Sequence, residues 1–229
     1  MPAHTDKAFE QDLRLLRDRL LAMSARVEAM IPESVASLTE RDSTLAKHVV
    51  NADLEVDRLE IEVDELCRRI LALRQPAASD LRLITTTLKI VTDLERIGDL
   101  TVNIAERALD LNEAPAIGIA IELSQLAQLA QKQVKLALDA FVRSDAEGAQ
   151  ALLAGDARLD ALFVKVLNDL MELMMQEPPV VRRATSLVFV AKHLERIGDH
   201  AMNVAEMVVY MVRGTDIRHP RARAQPKPT

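Results

Sequence analysis

Tryptophan is absent from the 229-residue chain, aromatic residues make up 2%, and there are only six glycines. Sheet-rich folds need β-branched and aromatic side chains and frequent turns, so this shortage argues against them. A single cysteine, Cys67, excludes an intrachain disulfide and suits a reducing compartment. No uninterrupted apolar run approaches the roughly 20 residues that span a bilayer. The opening MPAHTDKAFEQD has no apolar signal core, so the expected location is cytoplasmic. Excess positive charge is also missing. The formal charge is −6, which speaks against nucleic acid as a partner. What remains is rich in Leu, Val, Ile, Ala and Met, a composition for long packed helices.

Apolar residues recur at the helical period throughout. Prolines and caps divide them into helices over about 6–40, 42–73, 79–111, 118–143, 145–176 and 180–213. Pro32 falls inside the first and predicts a kink there. The sequence LERIGD occurs at 94–99 and again at 194–199. Asn103, Ala105 and Glu106 recur as Asn203, Ala205 and Glu206, and Asp53 and Asp57 recur as Asp156 and Asp160. The chain is therefore a duplication of about 100 residues. Long helices with short connections pack antiparallel, giving an all-α protein of two tandem pseudo-symmetric three-helix bundles. The expected units are 1–112 and 113–213, followed by a disordered basic tail, 214–229, with at most a weak contact to anionic lipid or a partner.

Residues four apart share a helix face. With Glu95 at zero on a helical wheel, Asp99 lies about 40° and Glu106 about 20° away, bordering the apolar arc. Glu195 and Asp199 repeat the arrangement. On the preceding helix Asp53, Asp57, Glu60 and Asp64 form an acidic row; in the second half Phe163 and Leu167 take its later places. Each half thus has two acid-x-x-x-acid pairs on consecutive helices. Converging like charges are destabilising unless cations intervene, and two answers stand open. A hard metal cation would take the carboxylate oxygens, or Arg96, Arg196, Arg58 and Arg68 would form ordinary ion pairs. Gly98 and Gly198 serve close helix approach or leave room for a ligand. His193 and His200 lie far round the helix from Glu195 and read as surface or edge residues. No Glu-x-x-His di-iron spacing, phosphate-cradling glycine loop or nucleophile–base pair occurs.

The stretches TDLERIGDLTVNIAE (92–106) and KHLERIGDHAMNVAE (192–206) resemble the duplicated signature of the PhoU family, accessory regulators of bacterial phosphate transport. CRRILALRQPAASDLR (67–82) is similar to the same family, and the resemblance covers about residues 6–213. It implies metal sites at Asp53/Asp57 with Glu95/Asp99, and at Asp156/Asp160 with Glu195/Asp199. Iron, manganese, zinc or magnesium, as divalent or trivalent ions, are the expected occupants. The resemblance also implies a non-catalytic, metal-binding cytoplasmic adaptor that restrains phosphate uptake and phosphate-starvation signalling. Its expected partners are the cytoplasmic components of the phosphate ABC transporter and a sensor histidine kinase, with membrane association only through them. A homodimer or higher homo-oligomer is expected. The alternatives are a carboxylate-site metal-dependent enzyme and a purely structural helical scaffold.

Overall fold

In a computed structural model, residues 7–118, 120–155 and 157–218 are described. They form α1 (Lys7–Thr39), α2 (Ser43–Leu73), α3 (Ala78–Asn112), α4 (Ala120–Arg143), α5 (Ala146–Leu153), α6 (Arg158–Gln176) and α7 (Val181–Arg213), with a 3-10 turn at Pro178–Val180 before α7. No strand occurs among the described residues. The apolar spacing explains the long helices. On α2 the buried residues Ala46, Val49, Ala52, Val56, Leu59, Val63, Leu66 and Ile70 recur every three or four positions, so one stripe faces inward along the whole helix.

Helices α1, α2 and α3 pack on one another, and α4, α5 and α6 pack on α7. The halves meet where α3 lies against α7 and α1 against α4, so the buried side chains form one continuous cluster. The signature helices run antiparallel. Arg82 near the start of α3 donates to the Met211 carbonyl near the end of α7, and Arg107 near the end of α3 stacks 4.5 Å from the Phe189 ring near the start of α7.

Duplication is visible in the helix corners too. Arg41 (φ 58°) and Ser144 (φ 52°) both adopt left-handed backbone. The next residue, Asp42 or Asp145, donates its N–H five residues back, to Ser37 or Ala140. Its carboxylate then caps the following helix: Asp42 Oδ1 accepts from the N–H of Thr44 (2.8 Å) and Leu45 (2.9 Å). Asp145 Oδ1 does the same for Glu147 (3.1 Å) and Gly148 (2.8 Å). An aspartate cap is worth about 1 kcal/mol.

One expectation needs correction. The helix expected over 145–176 is two helices, α5 and α6, interrupted after Leu153 where Gly155 takes φ 124°. That backbone is open only to glycine at low cost. In the register that matches the two corners, the break falls where α2 carries Asp53. The second half is therefore built from four helices. Gly214 (φ 68°) closes α7, and Ile217 packs back on the core. Residues 219–229, most of the basic tail, lie outside the described residues.

Pro32 does not end α1. Having no N–H, it leaves the Glu28 carbonyl, one turn earlier, without its helical donor. Gln131 on α4 takes that role, its Nε2 donating to Glu28 O at 3.1 Å. Gln131→Ala should cost about 1 kcal/mol in chemical denaturation. In a Pro32→Ala background the restored N–H serves Glu28, and the Gln131→Ala cost should fall to near zero.

Candidate functional site

The acidic pairs sit at the α2–α3 edge. Asp53 and Asp57 project from α2, Glu95 and Asp99 from α3. Gly98 sets their approach: a methyl group there would lie 2.8 Å from Asp53 Oδ1 and 3.3 Å from Val56 Cγ1. The missing Cβ lets the Asp53 carboxylate rest on the α3 backbone. Arg96 lies along the row, with Nε 3.4 Å from Glu95 Oε2 and Nη1 3.2 Å from Asp99 Oδ2.

One arginine does not neutralise this edge. Burial, then the charges of Asp57 and Asp99, push the Asp53 carboxyl up to about 6. Burial and Asp99 push Glu95 up to about 7, against the pull of Arg96. Glu60, from the same α2 row, is raised by burial and by Asp64 and Asp57. The structure thus brings Asp53, Asp57, Glu60, Glu95 and Asp99 into one electrostatic neighbourhood. Among the described residues, however, no three Asp, Glu, His or Cys side chains form a ready ligand set.

The sign of the pH dependence follows. In the folded chain Asp53 and Glu95 hold protons that an unfolded chain releases near pH 4 to 4.5. Between about pH 4.5 and 7 the native state binds more protons, so stability falls as pH rises. Metal-free protein should lose on the order of 1–2 kcal/mol across that window, allowing for solvent screening. Glu95→Gln should flatten the slope, measured by denaturation at stepped pH in chelator.

The second half differs in detail. Asp156 lies outside the described residues. Asp160 stands exposed in the first turn of α6, while Glu195 and Asp199 lie on α7. The Asp199 carboxyl is raised by burial and by Glu195, with Asp160 adding to it. Lys192, where the first half has Thr92, sets its Nζ 2.5 Å from Glu195 Oε2 and 5.5 Å from the Phe163 ring centre. A methyl group at Gly198 would meet Leu159 Cδ2 and lie 2.7 Å from Gln133 Oε1. Gln133 and Gly198 line a cleft of about 240 Å³ with Gly155, Asp160, Glu195 and Asp199.

Gln133 is 6% exposed and its Oε1 has no hydrogen-bond partner. A buried acceptor left unpaired costs roughly 1–3 kcal/mol. Reasoning from the doubled acid motif missed it. The signal was a glutamine among Ala127, Ala130, Val134 and Ala137, on the buried stripe of α4.

The histidines are not free surface residues. His200 Nδ1 lies 2.8 Å from Asp93 Oδ1, and Asn203 Nδ2 donates to the same oxygen at 3.1 Å, joining α3 to α7. His193 is half-buried with both ring nitrogens unpartnered. Burial, then Arg107 and Arg196, pushes it down to about 4.

The PhoU domain model matches residues 20–108 and 123–208. The phosphate-specific transport system accessory protein PhoU homolog of Pseudomonas aeruginosa is 42% identical over 217 residues, 94% of this chain and 90% of that one. The Escherichia coli K12 protein of the same description is 33% identical, again over 94% of this chain and 90% of its own length. Among solved structures, the crystal structure of PhoU from Pseudomonas aeruginosa superposes with a TM-score of 0.86 over 90% of this chain and all of that one, at 42% identity. The phosphate transport system regulatory protein PhoU from Streptococcus pneumoniae gives 0.82 at 26% identity, over 91% and 99% of the two chains. Two matched domains, relatives aligned over nearly their whole length and the doubled LERIGD helices agree: this chain belongs to the PhoU family.

Proposed function

We propose that the chain is a non-catalytic regulator of phosphate uptake and phosphate-starvation signalling. It acts in the cytoplasm, as a homodimer or higher homo-oligomer, by contact with the cytoplasmic components of the phosphate ABC transporter and with a sensor histidine kinase. The observation that carries this reading is the doubled acidic edge on a chain alignable end to end with accessory proteins of phosphate-specific transport. No described helix is long and apolar enough to cross a membrane.

The acidic edges offer carboxylate oxygens, the donors that hard metal ions prefer. Burial, and after it the neighbouring carboxylates, raise Asp53 and Glu95, so a cation at this edge would relieve both, and the Gly98 gap seats an oxygen against α3. Asp53, Asp57, Glu95 and Asp99 would hold iron, manganese, zinc or magnesium in the first half. Asp160, Glu195 and Asp199 would do so in the second, with Asp156. The ion would neutralise the edge and offer open coordination positions to a partner's carboxylate or phosphate.

Deleting the gene should leave starvation genes active, or phosphate uptake unrestrained, when phosphate is plentiful. Glu95→Ala with Asp99→Ala and their second-half equivalents should reproduce that state while the protein still accumulates. Full-length protein should co-purify with transporter or kinase from detergent-solubilised membranes. Unchanged signalling and uptake on deletion, with no membrane partner recovered, would reject the adaptor. Sustained metal-dependent turnover by the purified protein would then favour an enzyme.

A further inference from the structure

Each signature glycine is covered by an oxygen, but the oxygens come from different helices. At Gly98 it is Asp53 Oδ1, from α2, with Val56 beside it; at Gly198 it is Gln133 Oε1, from α4, with Leu159 Cδ2 of α6 lying closer still. In the register that matches the two helix corners, the first-half residue at the Gln133 position is Met30, which is fully buried and offers no oxygen. The second-half counterpart of Asp53 is Asp156, which lies outside the described residues. A different helix has thus placed an acceptor at the same point of the motif.

That acceptor is buried and unpaired, and native proteins rarely leave one so. The Gln133 side chain lines the cleft of about 240 Å³ that Asp160, Glu195 and Asp199 also line. Amide carbonyls and carboxylates are the donors that hard divalent cations prefer.

We propose that Gln133 is a neutral carbonyl ligand of a cation site in the second half, completed by Glu195, Asp199 and Asp160. The inference rests on the metal reading above and extends it to a residue outside the acidic motifs. Beside the signature glycine an amide oxygen stands where the first half has the Asp53 carboxylate, while each half carries one cation along its edge, Arg96 or Lys192. The second site therefore attracts a divalent cation less strongly, and the two sites fill in order, first half before second.

Full-length protein stripped with chelator and titrated with Mn²⁺, with free Mn²⁺ followed by electron paramagnetic resonance, tests this. Wild type should show a tighter and a weaker class of site. Gln133→Met, the residue the first half uses, should weaken the second class tenfold or more and leave the first unchanged. Gln133→Glu should tighten the second class, which keeps the test decisive if the methionine variant folds poorly. Asp53→Asn should do the reverse of Gln133→Met, removing the tighter class only. If both Gln133 variants bind as wild type while Asp53→Asn loses its class, Gln133 is not a ligand and the metal reading survives. If Mn²⁺ binds neither half, both fail together.

Discussion

Leu94→Ala should lower the unfolding free energy by about 3–4 kcal/mol, and Leu194→Ala by a similar amount. Both side chains are fully buried, at equivalent places on the signature helices. Leucine deletions at such sites lose transfer energy and leave a cavity that close neighbours prevent from collapsing. Here the neighbours are numerous: α3 touches α1, α2 and α7, while α7 touches α3, α4, α5 and α6. Against a typical total of 5–15 kcal/mol, the loss is a large share of stability. The pair of variants also reports on cooperativity. Because the halves share one buried cluster, guanidinium denaturation followed by circular dichroism should give one transition for each variant. A lone early step in either would mean that the halves unfold separately.

The second large effect reverses sign with conditions. At pH 8 in chelator, Asp53→Asn with Glu95→Gln and Asp99→Asn should stabilise the protein, because the cost of burying charge and the repulsion among these carboxylates, which raise Asp53 and Glu95 in that order, are gone. The gain should be on the order of 1–2 kcal/mol after screening. With metal at a hundred times its dissociation constant, wild type should gain about 2.7 kcal/mol by mass action, and the variant nothing from that site. The order of stabilities should therefore invert between the two buffers. Thermal melts with and without Mn²⁺ give the answer. A variant that loses stability in chelator would show instead that Arg96, paired with Glu95 and Asp99, holds the edge together.

Much of this was legible before any coordinates. Helical periodicity located α1 to α4 and α7 to within about two residues, and the repeated LERIGD revealed the duplication. The break at Gly155 was not legible, because Leu152 and Leu159 continue the apolar rhythm on either side of it. A glycine within such a rhythm costs only about 1 kcal/mol, too little to signal an interruption by itself. Long-range partners were equally hidden. Nothing local ties His200 to Asp93, or Gln131 to Glu28, across more than a hundred residues of chain. The acid pairs themselves were readable, since four-residue spacing fixes them to one face. Their environment was not, because it depends on which helix the two glycines admit.

The Gln131–Glu28 contact also has a mechanical meaning. Two helices joined only by apolar ridges can slide past one another by one turn, about 5.4 Å, and find a nearly equivalent fit. A polar contact that works in one alignment removes that freedom, as a single buried asparagine does in coiled coils. Pro32 creates one such place on α1, and one glutamine on α4 answers it. Helix α1 belongs to the first repeat and α4 to the second, so this contact acts as an alignment pin between them. A shift of one turn would strand the Glu28 carbonyl and carry each repeat's acidic edge along the other.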